Sequence, residues 1–166
     1  MANVNETKPG AAFFAQIKNP VKLRLFLFKK LPAAFFSGLK ITEANEQKCV
    51  VSVPYKWFTQ NPFRSTYFAC LSMAAELSTG VLAMASIYKR KPSVSMLIVH
   101  MESSFFKKAV GLTLFVCEQG QEISDAVERA VATGQPQTIK VKSTGFNPQN
   151  EVVAECCFTW SFKAKG

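Results

Sequence analysis

The chain has 166 residues, 48% of them hydrophobic, which is enough to bury the core of one domain, and its 15 Phe exclude a disordered or low-complexity polymer. Residues 1–64 hold ten Lys and Arg against three acids, a net of +7, whereas residues 65–166 hold ten against eight, a net of +2, so an anionic partner would meet the first third. Five Cys without a CxxC pair and a single His, His100, exclude a zinc ligand set and fit reduced thiols in the cytoplasm.

Residues 1–10 (MANVNETKPG) read as a flexible tail rather than a signal peptide, and residues 11–166 as a single domain. Residues 11–36 predict one or two short helices, broken at Asn19-Pro20, where Pro suits a first helical turn, and near Leu31-Pro32. The apolar residues of KLRLFLFKKL are too dense for a clean stripe. Two readings stay open: a helix packed on the domain, and a basic interfacial helix touching a membrane surface through residues 20–31. Residues 39–45 and 48–55 predict a hairpin around Glu46-Gln47. An aromatic-rich loop follows over 57–64, and Ser65 or Thr66 is expected to cap the next helix.

That helix, running to Tyr88, carries a single charge, Glu76, and is followed by Lys89-Arg90-Lys91, as a membrane span would be. Its large apolar side chains together favour insertion by about 3 kcal/mol, and one central acid opposes it by roughly 2.5 kcal/mol or more. Ser72, Ser78, Thr79 and Gly80 tip the balance towards a core helix covered by a sheet. Beyond Pro92 the pattern predicts strands over 93–103, 112–118, 138–143 and 152–163. A short amphipathic helix lies between the second and third, capped by Ser124, with Ile123, Val127 and Val131 inward, and stopped by Gly134. In the last strand Phe158, Trp160 and Phe162 share one face. The fold class is α+β, an antiparallel sheet wrapped around one long central helix.

A Gly-rich phosphate loop, a GxSxG elbow and an HExxH pair are all missing, which excludes P-loop and triad chemistry. Glu76, the only ionisable group in the apolar helix, would have a raised pKa if buried and could exchange protons near neutral pH. A solvent-facing Glu is the plainer alternative.

The stretch NPFRSTYFACLSMAAELSTG, residues 61–80, resembles hotdog-fold acyl-CoA thioesterases, in which an Asn begins a loop, His-Gly-Gly enters the central helix and an acid follows. Asn61 and Glu76 keep that family's spacing of fifteen, and the element order fits over 38–163. The basic N-terminal helices resemble an uncharacterised thioesterase-like branch of the superfamily. The resemblance implies hydrolysis of an acyl thioester. Glu76 would be general base or nucleophile, Asn61 would position the water or the carboxylate, and the amides of Phe68 and Ala69 would hold the oxyanion.

Ser72 and Thr79 could share the Glu76 face and touch substrate, or bond back to their own helix. Trp57 and Phe63 could line an acyl tunnel, and Lys107 and Lys108 could meet CoA phosphates. No metal and no cofactor beyond CoA, as part of the substrate, is implied. A homodimer is implied, with a tetramer open. Tyr67-Phe68-Ala69 stand where His-Gly-Gly would, so a non-catalytic hotdog protein binding an acyl or other hydrophobic ligand is the rival reading. A non-hotdog cup for a hydrophobic ligand is the fold-level rival. No recognisable nucleic-acid motif accompanies the basic third, so no nucleic-acid partner is expected.

Overall fold

Asn19 sets the first break in the chain: its Oδ1 accepts from the N–H groups of Val21 and Lys22, both at 3.1 Å, satisfying two donors that a helix start leaves free. The computed structural model describes residues 9–165. Three helices precede the sheet, α1 (Pro9–Ile17), α2 (Pro20–Lys30) and α3 (Pro32–Ser37), each beginning with a proline. Residues 1–8, most of the expected tail, lie outside the described residues, and α1 takes in the last two residues of that tail, Pro9 and Gly10.

The hairpin forms as predicted, β1 (Lys40–Ala44) against β2 (Cys49–Val53). Asn45 closes its turn by accepting from Gln47 and Lys48 N–H at 2.9 Å. A single 3-10 turn (Trp57–Thr59) interrupts the expected loop. The remaining elements are α4 (Phe68–Ile87), β3 (Val94–Phe105), β4 (Thr113–Cys117), α5 (Gly120–Thr133), β5 (Gln137–Phe146) and β6 (Val152–Ala164).

Both helix caps fall elsewhere than expected. Ser65 is held by Asn61, and the Thr66 hydroxyl donates to Ala109 O at 3.1 Å, so α4 starts at Phe68 behind Tyr67 without a side-chain cap. Ser124 lies inside α5, which starts at Gly120 because that residue packs on the β1–β2 turn. Its N–H donates to Gln47 O at 3.1 Å, and a Cβ there would strike the Glu46 carbonyl. In both cases a tertiary contact sets the start that local capping chemistry would have placed otherwise.

Six antiparallel strands run in the order β1-β2-β4-β5-β6-β3. α4 is long and apolar enough to cross a membrane, but 67% of its most apolar window is buried inside the domain. Small residues, Ala74, Ala75, Ser78 and Ala85, let it lie close to the sheet. Phe158, Trp160 and Phe162 are buried as their alternation predicts, and with Phe115 they form the heart of the core, each worth roughly 1.5–3 kcal/mol of burial or more. One buried polar pair ties helix to sheet. The Ser78 hydroxyl donates to Ala75 O and lies 2.7 Å from Ser143 Oγ of β5, which donates to it. The wrapped helix makes this the hotdog fold.

The ends of the sheet differ. β1 faces α2 across a groove of about 620 Å³, whereas β3 is a twelve-residue outer strand paired only with β6. Leu97, Val99, Met101 and Phe105 are exposed along it, and so is His100.

Candidate functional site

Glu76 sits in the middle of α4, one turn before Gly80. Its Oε1 lies 3.0 Å from where a Gly80 Cβ would stand, and the Trp160 ring lies 3.6 Å from the same point. The missing side chain is what lets the carboxyl fold back along the helix. Trp160 is fixed in turn by Thr79, whose hydroxyl accepts from the indole N–H at 3.1 Å and donates to Glu76 O at 2.9 Å. Both bonds of the Thr79 hydroxyl are thus made within the chain, where it braces Trp160. Burial alone pushes the Glu76 pKa above the ordinary carboxylate range, with no hydrogen bond or cation among the described residues to offset it.

One turn earlier on the same side, Ser72 Oγ is buried and has no hydrogen-bond partner among the described residues. It bonds neither to Glu76 nor back to its own helix. An unpartnered buried hydroxyl is uncommon, and the only other one among the described residues is Ser103 Oγ of β3.

The start of α4 is also open. Tyr67 O accepts from Cys70 and Leu71 N–H at 2.9 and 3.2 Å, while the amides of Phe68 and Ala69 have no acceptor among the described residues. No acid stands in the first turn, so the positive end of the helix is uncompensated. In front of it lies a cleft of about 720 Å³ lined by Asn61, Phe63, Tyr67, Phe68, Phe105, Lys107 and Lys108, among others. The Phe68 ring is exposed there, between Tyr67 and Phe105.

The cleft unites some of the predicted residues and leaves others out. Asn61 lines it, but its side chain is used locally: Oδ1 accepts from Phe63 and Ser65 N–H at 2.9 and 3.2 Å, and Nδ2 donates to Ser65 Oγ at 3.1 Å. It shapes the loop before α4 and makes no bond to Glu76 within one chain. Lys107 is paired with Glu151 at 2.6 Å, and Lys108 Nζ donates to Phe63 O at 3.2 Å. Trp57 does not line the cleft; 83% exposed, it stands beside Phe58 and, through it, next to Phe36 of α3. Glu76 and Ser72 lie beyond the cleft, further along α4.

Gly80, Trp160, Tyr67 and Phe105 were not singled out as site residues by the sequence reasoning. Only Gly80 left a signal, a helix-interior glycine four residues after the lone acid, which marks a close approach. The cysteines take no part. Burial raises the thiols of Cys49, Cys156 and Cys117, the last to about 11, which keeps them protonated and inert. Among the described residues no cluster of His, Cys, Asp and Glu could hold a metal ion.

A family model described as a domain of unknown function, DUF4442, matches residues 24–162. No curated protein matches the chain. Among solved structures, a protein of unknown function from Pseudomonas aeruginosa, described as a probable thioesterase, is similar at a TM-score of 0.74 with 20% identity, covering 88% of this chain and 97% of that one. A thioesterase from Haemophilus influenzae is similar at 0.62 with 12% identity, over 87% and 90%. The PaaI protein from the phenylacetic acid degradation operon of E. coli is similar at 0.61 with 12% identity, over 91% and 96%.

Proposed function

This chain belongs to the DUF4442 family, and on that premise we propose that it is a hydrolase of acyl thioesters, with acyl-CoA as the substrate class, working as a homodimer. The observation that carries the reading is the open face of α4, where a carboxyl with a burial-raised pKa and a partnerless hydroxyl lie one turn apart. The thioesterase names borne by similar structures support it.

A carboxylate whose pKa is raised is a stronger base than a solvated Glu. Glu76 takes a proton from water as the water oxygen bonds to the thioester carbon. The C–S bond then breaks, and the proton passes from Glu76 to the departing sulfur, giving a carboxylic acid and a free thiol. Direct attack by Glu76, with an anhydride that water opens, is the alternative order of the same chemistry. Ser72 Oγ has the free capacity to hold the attacking water. Asn61 and Thr79, their side chains already used, are assigned to shaping the loop and bracing Trp160.

The Phe68 and Ala69 amides supply the oxyanion donors. Eight residues of helix separate Phe68 from Glu76, about 12 Å at 1.5 Å per residue. The amides and carboxylate of one chain therefore cannot reach the same carbonyl, and the site is completed across the dimer. The exposed apolar edge of β3 is the surface for that pairing. Phe63 and Phe68 offer apolar walls to the acyl group, and Lys108, free of a carboxylate partner among the described residues, a charge for the CoA phosphates.

The second reading, a binding protein without turnover, is favoured by one observation: the Phe68 ring stands beside the amides that would hold the oxyanion. Thiol release from acyl-CoAs of increasing chain length, with any copurified ligand identified by mass spectrometry, tests both. Turnover supports the hydrolase. Tight binding without turnover replaces it with the binding protein, and neither binding nor turnover overturns both.

A further inference from the structure

Val21, Leu25 and Phe28 recur at helical spacing on the outer side of α2, away from its buried Leu27. Their stripe continues through Phe36 of α3 into Phe58 and Trp57, with ring centroids 6.4 Å apart for Phe28–Phe36, 6.3 Å for Phe36–Phe58 and 6.5 Å for Phe58–Trp57. All six side chains are exposed, although they belong to three separate elements. A joined apolar surface of this kind marks an interaction site.

Cations frame it. On the helical wheel Lys22 and Lys29 flank the stripe on one side, and Arg24 flanks it on the other, lying over the Phe35 ring at 4.3 Å. Lys30 ends the helix, and no acid occurs between Glu6 and Glu43. An apolar centre with a cationic rim fits a surface that is apolar a few ångströms down and anionic on top. We infer that α2, α3 and the Trp57 turn form a docking surface for an anionic lipid bilayer, the apolar side chains entering the headgroup boundary and the lysines meeting lipid phosphates.

The other occupants fit less of the surface. A second copy docked about a two-fold axis would bring the same uncompensated lysine rim against itself. A nucleic acid would meet the cations and leave the aliphatic stripe without a partner. Docking here leaves β3 free: α2 borders the β1 groove, and β1 and β3 are the two outer strands of the sheet. The inference stands whether or not the protein hydrolyses thioesters.

The test uses the full chain with vesicles of phosphatidylcholine, with and without phosphatidylglycerol. The chain has two Trp, and Trp160 is buried, so a blue shift of emission reports Trp57. We expect sedimentation with the anionic vesicles and a blue shift, both fading as salt rises. Trp57→Phe should abolish the shift and largely preserve sedimentation. Lys22→Gln/Lys29→Gln/Lys30→Gln should weaken partitioning on the order of fivefold per cation. Leu25→Ser/Phe28→Ser should reduce it at least about tenfold with an unchanged circular dichroism spectrum. If that variant unfolds, the parent's shift and its salt dependence decide. No sedimentation at low salt, equal sedimentation with both vesicle types, or variants that partition like the parent would overturn the inference. So would a duplex nucleic acid bound through the same lysines in preference to vesicles, or a dimer that dissociates on Leu25→Ser/Phe28→Ser.

Discussion

Two faces of α4 carry the same kinds of residue and treat them differently. On the face against the sheet, Ser78 is satisfied twice, by Ala75 O and by Ser143 across the helix–sheet boundary. Further round the helix, where only the Trp160 ring of β6 approaches, Ser72 Oγ has no partner among the described residues, and Glu76 bears the cost of burial without a hydrogen bond or cation. A folded chain leaves few buried polar groups unpaired, since each forfeits about 1–3 kcal/mol. The first face is complete within the chain. The second is the face to which the proposed function assigns the water and the thioester.

The sharpest way to break this contrast is to neutralise the open face. Glu76→Gln keeps shape and helix propensity, so the fold should persist while acyl-CoA hydrolysis falls by at least about 100-fold and ligand binding largely survives. Turnover assays beside equilibrium binding measure this, and undiminished hydrolysis by a folded variant removes Glu76 from the mechanism.

The two serines offer the next test, in stability. Ser78→Ala should cost about 1–3 kcal/mol, because it strands Ser143 Oγ, whereas Ser72→Ala, which removes a hydroxyl that has no partner among the described residues, should cost nothing and can raise stability by up to about 1–3 kcal/mol. Denaturant midpoints of the two variants compare them, and equal losses would erase the distinction between the faces.

Assembly is the third test. If β3 pairs with its counterpart in a second copy, the parent is a dimer in light scattering at micromolar concentration. Leu97→Lys/Met101→Lys should then raise the dissociation constant at least about tenfold, or about 1.4 kcal/mol. A parent that stays monomeric refutes the shared site.

The smallest expected effect is a pH slope. Glu76 has a higher pKa folded than its unfolded value near 4.3, so between those values the folded chain holds the extra proton and stability falls as pH rises. Glu76→Gln lacks this slope. Its stability relative to the parent should therefore improve as pH rises through and above the ordinary Glu value near 4.3, read from denaturation midpoints; a difference that does not change with pH would place the carboxyl in water.

Much of this was legible in the chain itself. Alternation in β6 gave the buried face of Phe158, Trp160 and Phe162, because strand periodicity is local and a half-buried strand cannot hide it. Pro20, Pro32 and Gly134 punctuated helices where they stood, since each fixes or frees its own backbone. Glu76 could be singled out as the lone charge of an apolar helix, and its spacing from Asn61 pointed to the hotdog fold. Contacts between distant segments were not legible. The start of α4 moved because Ala109 took the Thr66 hydroxyl that local capping would have used, and that of α5 because Gly120 packs on the β1–β2 turn.

Asn61 and Thr79 had the right residue types for a site, and only their neighbours, Ser65 and Trp160, showed them already engaged. The joined surface of Val21, Leu25, Phe28, Phe36, Phe58 and Trp57 likewise comes from three elements brought side by side. Sequence by itself determined which residues prefer burial, where the backbone bends and which single acid lies in the apolar helix, because those follow from each residue and its near neighbours. Tertiary structure decided which polar groups stay unpaired and which apolar ones stay uncovered, because both depend on what the rest of the chain brings within bonding distance.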